Sequence, residues 1–125
     1  MIDFFADTYA IIEILKGNEN YRHYIDLELG TTEFNLFELA YFLVRDYGKS
    51  KALKILSKVK LEFELVDVTD KDFVNASEFR LQMKKIGKQL SLVDCLGYTV
   101  AKRLNVKFLT GDNEFKDLEN VEFVK

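Results

Sequence analysis

Short apolar segments alternate along this chain with longer stretches of helical spacing, and that alternation restricts the fold more than any other feature. Residues 2–6 form an apolar run that passes through Asp7-Thr8 into Ala10, Ile11, Ile12, Ile14 and Leu15, a buried strand turning into a helix closed by Gly17. The spacing predicts a short helix over 18–26, a strand over 27–32 and a helix over 34–47 that ends at Gly48. A further helix over 49–59 has Leu53, Ile55 and Leu56 as its apolar positions, and 61–68 alternates Leu61, Phe63 and Leu65 against Glu62 and Glu64 with the period of a strand. Helices follow over 69–86 and 91–104, joined by Gly87-Lys88-Gln89-Leu90; 106–109 is a compact core strand and 121–124 an edge strand. Strands separated by helices in this way predict an α/β sandwich with a mostly parallel central sheet, whose binding site lies beyond the carboxyl ends of its strands.

With 125 residues the chain has the length of one domain, expected to span 1–125, and 48% hydrophobic with 31% charged residues fits one packed core. No run of eighteen uncharged apolar residues exists and no basic segment precedes an apolar one at the start, so neither a membrane span nor a signal peptide is expected. The lone cysteine, Cys95, cannot form an internal disulfide and sits among apolar helix residues, as an inert buried thiol in a reducing cytoplasm does. With His23 as the only histidine, in a polar aromatic segment, zinc sites built from several His or Cys ligands are excluded. A net charge of −3 provides no general attraction for nucleic acid.

Carboxylates are left to do the chemistry. Asp7 follows the first strand, Glu38 lies on the helix after the second, Asp94 stands in the first turn of a later helix, and Asp112 follows the strand over 106–109. Each has an ordinary structural use. Asp7 is placed to cap a helix, Ser91-x-x-Asp94 matches a capping box, Glu38 shares an arc with Arg45 as a possible ion-pair partner, and Asp112 suits a turn. Asp94 shares its helix face with Gly97, Tyr98 and Ala101, the small Gly97 leaving room for close backbone approach, and not with the charged Lys102 and Arg103. Brought together, four like charges repel by roughly a few kcal/mol per close pair at an effective dielectric of about 20, so the fold needs a cation or raised pKa values to hold them. Oxygen-only ligands suit Mg2+ or Mn2+, which activate water and neutralise phosphate charge in metal-dependent phosphodiester hydrolysis. Glu114 is the reserve acid beside Asp112.

These motifs, Asp7-Thr8, Asn35-Leu36-Phe37-Glu38, Ser91-Leu92-Val93-Asp94 and Thr110-Gly111-Asp112-x-x-Phe115, together resemble a PIN domain over essentially the whole chain, and most closely the small VapC toxin type. The resemblance implies a three-layer α/β/α fold, a Mg2+- or Mn2+-dependent endoribonuclease cleaving RNA, frequent homodimerisation and inhibition by a small cognate antitoxin protein. It implies Asp7, Glu38, Asp94 and Asp112 as catalytic, metal-binding acids, Thr110 as a hydrogen-bonding support, and Thr8, Asn35 and Ser91 as further supporting residues. Lys84, Lys85 and Lys88, shortly before Asp94, are the candidate RNA-phosphate contacts, whereas Lys51, Lys54 and Lys58 read as a solvated helix face. Tyr41, Phe42 and Tyr47 read as core or as a dimer or antitoxin surface. Competing readings are an RNA-processing nuclease outside any toxin pair, a scaffold that has lost activity, and a signalling module using Asp67 as phospho-acceptor.

Overall fold

The computed structural model describes residues 1–125. Five strands form one sheet: β1 (Phe4–Ala6), β2 (Leu29–Thr31), β3 (Glu64–Leu65), β4 (Lys107–Thr110) and β5 (Val121–Phe123). Their spatial order is β3-β2-β1-β4-β5 and every pairing is parallel. The helices are α1 (Thr8–Leu15), α2 (Glu33–Tyr47), α3 (Lys49–Glu62), α4 (Asp70–Lys85) and α5 (Leu92–Arg103), with 3-10 turns at Glu19–Tyr24 and Asn113–Phe115.

The central strands carry side chains to both faces, and the residue alternation along them divides the core in two. Ala6 and Leu109 point into a cluster with Ala10 and Ile11 of α1, Leu39 of α2 and Val59 of α3. Phe5 and Phe108 point the other way, into a cluster with Ala76 of α4 and Cys95 and Val100 of α5. The three-layer α/β/α arrangement expected from the sequence is thus the one observed. Gly97 permits it on the α5 side: a Cβ there would meet the rings of Phe5 and Phe108 at 2.8 and 3.0 Å. Those rings, not another backbone, occupy the space that the missing side chain leaves.

Two elements differ from expectation. Helix α3 continues to Glu62, so only Glu64–Leu65 of the expected strand pairs with β2. The Leu61-to-Leu65 alternation misled because Leu61 is 88% exposed, outside any sheet, while α3 buries Ala52 and Val59 instead of Leu53. Tyr41 and Tyr47 are exposed rather than core, and Phe34, Phe37 and Val44 join them on the outer face of α2. His23 is exposed with its ring edge against Tyr24, and Lys51, Lys54 and Lys58 are in solvent. No helix is long and apolar enough to cross a membrane.

Between α4 and α5 an ion pair is added to the apolar packing. Arg103 Nε and Nη2 donate to the two carboxylate oxygens of the buried Asp72, each at 2.9 Å, and Nη2 also donates to the Asp67 carbonyl. Burial alone raises the Asp72 pKa, but the Arg103 and Thr69 hydrogen bonds outweigh it and hold the carboxyl below its usual value.

Candidate metal centre

The parallel order brings the chain's crossover point to β1, flanked by β2 and β4, where a crevice opens beyond the carboxyl ends. Asp7 immediately follows β1 and caps α1. Its Oδ1 accepts from the Ala10 amide at 2.9 Å and its Oδ2 from the Thr110 hydroxyl at 2.5 Å, so the capping and site readings are both true of one side chain. Thr110 ends β4, and its Oγ1 also accepts from the Asp112 amide. One buried hydroxyl therefore couples Asp7 to the loop carrying Asp112. Gly111, between them, is required by close approach: a Cβ there would overlap the Tyr9 ring and the Val124 carbonyl.

Asp94 closes the capping box, its Oδ2 accepting from the Ser91 amide at 3.1 Å while Ser91 Oγ accepts from the Asp94 amide. Glu38 projects from the second turn of α2. Asp7, Glu38, Asp94 and Asp112 all line one cleft of about 400 Å³, with Thr8 and Ser91 beside them. Asn35 and Thr110 lie behind the cleft wall. Asn35 Nδ2 donates to Thr8 Oγ1 at 3.3 Å and its Oδ1 accepts from Thr32, tying the start of α1 to the start of α2 in a buried network.

The electrostatics report the same convergence. Burial pushes the Asp7 carboxyl up to about 8 against the opposing hydrogen bonds from Thr110 and Ala10, and the charges of Asp94 and Asp112 push further. Asp94 is raised to about 6, mainly by burial, with Glu38 and Asp112 adding to it against the Ser91 hydrogen bonds. The neighbouring carboxylates thus make Asp7 and Asp94 harder to ionise, the condition a bound cation reverses.

The gathering is loose. No group of three His, Cys, Asp or Glu side chains is drawn tightly enough to hold an ion as it stands. All four cleft acids offer oxygen only, and Cys95 is buried with its thiol pushed up by burial to about 11, so no soft ligand competes.

Several expected neighbours lie elsewhere. Glu114 turns away from the cleft, its Oε1 accepting from the Gln89 amide, so the reserve acid is engaged outside the site. Lys88 donates to the Glu114 carbonyl, and neither it nor Lys84 or Lys85 lines the cleft. Arg45 pairs with Asp46 rather than Glu38. Asp67 follows the edge strand β3 and is not a cleft residue. The cations that do line the cleft are Lys16 and Arg45, which sequence proximity to the acids did not reveal. For Arg45 the signal was helical spacing: Glu38, Phe42 and Arg45 share one arc of α2.

A family model described as PIN domain matches residues 4–121. Among curated protein sequences none matches. Similar solved structures include VapC20 of Mycobacterium tuberculosis, described as a sarcin-ricin loop cleaving toxin, with TM-score 0.80, 17% identity, and 98% of this chain and 99% of that chain covered. DNA-bound VapBC from Salmonella typhimurium is similar at TM-score 0.79 and 18% identity, covering 98% of this chain and 97% of that one. VapBC2 from Rickettsia felis bound to a promoter DNA fragment is similar at TM-score 0.76 and 19% identity, with 98% of each chain covered.

Proposed function

The chain belongs to the PIN domain family, and from that membership and the acidic cleft we propose that it is a single-domain, metal-dependent endoribonuclease, the toxin of a VapBC-type pair. The observation that carries this reading is the convergence of four carboxylates, from α2, α5 and the ends of β1 and β4, on one cleft. In this reading Asp7, Glu38, Asp94 and Asp112 hold Mg2+ or Mn2+. When bound, the cation supplies an activated water and offsets charge on the scissile RNA phosphate.

The protein's own contribution is orientation. Thr110 and the Ala10 amide fix both oxygens of Asp7, so that carboxylate reaches its place without losing rotamer freedom on binding. Ser91 fixes Asp94 through the capping box, leaving its other oxygen for the cleft. The Thr8–Asn35 link sets the spacing of α1 and α2 and thereby the distance from Asp7 to Glu38.

A small antitoxin and a second copy of the chain are the proposed protein partners, in the cytoplasm. The relatives described as VapBC complexes support the antitoxin, and the exposed Phe37, Tyr41 and Val44 on α2 offer apolar surface for either contact. Incubating the protein with single-stranded RNA and Mn2+ or Mg2+ tests the reading. Cleavage that stops with EDTA and falls more than about 100-fold in Asp94→Asn is expected. Absence of cleavage with both metals, or full activity in Asp94→Asn, rejects it.

A further inference from the structure

We infer that Lys16 and Arg45, which line the same cleft as Asp7, Glu38, Asp94 and Asp112, form a phosphate-binding subsite that holds the RNA strand at a phosphate neighbouring the scissile one; the inference rests on the nuclease reading. Six carboxylates line the cleft against these two cations. A polyanion entering it meets repulsion everywhere except at the acid cluster, once metal is bound there, and at Lys16 and Arg45. The strand's path is therefore defined by two points.

The geometry separates those points along the helices. Lys16 caps the C-terminal end of α1, about 13 Å of helical rise from Asp7, and Arg45 lies about two turns beyond Glu38 on α2. That separation places the two cations at other positions of the same cleft lining than the acid cluster. The two cations share one stretch of the cleft wall with Asp46 and Phe42.

Arg45 is also prepared for an anion. Its Nε and Nη2 donate to the two Asp46 oxygens, at 2.9 and 3.3 Å, and its guanidinium lies 4.8 Å from the centre of the Phe42 ring. Those contacts fix the plane of the fork while Nη1 keeps its donors free, so little side-chain entropy is lost when a phosphate oxygen arrives. Lys16 is held more loosely, 3.8 Å from Glu13, in an exposed pair weak enough to exchange for phosphate.

The test measures binding of a fluorescent single-stranded RNA to Asp94→Asn protein, in which cleavage is blocked, across a salt series, with Arg45→Gln and Lys16→Gln added singly. Each is expected to weaken binding about three- to tenfold and to reduce the slope of log affinity against log salt by about 0.7, the value of one lost phosphate contact on a single strand. In otherwise active protein the same changes raise KM while kcat stays within about twofold, and Arg45→Lys recovers part of the loss. Unchanged urea midpoints separate this from a structural effect. If wild-type protein cleaves RNA but the variants match it in KM and salt slope, the subsite is overturned and the nuclease reading stands. If wild-type protein does not cleave RNA with either metal, both fall.

Discussion

Asp7→Asn is expected to make the metal-free protein more stable, by an amount that depends on pH. Asp7 is 2% exposed and its carboxyl is raised to about 8, so folding at neutral pH forces either a buried charge or the uptake of a proton. The folded pKa lies above the unfolded one, so the folded chain holds an extra proton between about pH 4 and 8. Stability from this group is therefore complete below about pH 4 and is lost as pH rises through 8. At about 1.4 kcal/mol per unit, the loss at pH 7 is of the order of 3 to 4 kcal/mol. Asparagine keeps the cap, since its Oδ1 can accept from the Ala10 amide, but it reverses the contact with Thr110, whose hydroxyl proton loses its acceptor at a cost of about 1 kcal/mol. The net gain is about 2 to 3 kcal/mol at pH 7, seen as roughly 6 to 10 °C in Tm for a domain of this size. Urea unfolding in EDTA at pH 4.5 and pH 8 measures it: the variant should be well ahead of wild type at pH 8 and level or slightly behind at pH 4.5. A variant destabilised equally at both values would show that Asp7 serves folding as a cap alone, and the argument from its burial would fail.

Other perturbations test separate parts of the structure. Gly111→Ala pushes a methyl into the Tyr9 ring and the Val124 carbonyl and should destabilise by about 2 to 3 kcal/mol in urea titration while lowering nuclease activity through displacement of Asp112. Arg103→Ala leaves Asp72 buried without its partner and should cost about 3 kcal/mol, recovered in part by Asp72→Asn in the same chain, as a double-mutant cycle will read. Cys95 should resist thiol reagents in the native protein and react fully in denaturant, because its sulfur is buried and its pKa is near 11.

The layers of the fold were legible because strand and helix periods are local properties. Residues 2–6 and 106–109 are too short and too apolar for an exposed strand, and they proved to be β1 and β4 at the centre of the sheet. The end of α3 was not legible, since Leu61, Phe63 and Leu65 satisfy a two-residue period while the helix simply continues through Leu61 to Glu62. The acids were found by their positions after strands and at helix starts. The geometry brings Asp7, Glu38, Asp94 and Asp112 to one cleft, and it uses three of them, Asp7, Asp94 and Asp112, in helix-start capping contacts as well. Glu114 and the lysines 84, 85 and 88 show the limit of sequence neighbourhood: two or three residues along a loop can reverse a side chain's direction. Arg45 lies seven residues from Glu38 but shares its arc, a relation only helical projection displays; Lys16 comes to the cleft as the C-cap of α1, a place no periodicity marks.

The hydroxyl of Thr110 reaches Asp7 across 103 residues of chain. During synthesis the first three acids leave the ribosome long before the segment that joins and orients them. Pairing of β1 with β4 is the most distant contact the central sheet has to make, and such closures come late in folding. A growing polypeptide of this kind thus has no assembled acidic cleft until its fourth strand has emerged and docked.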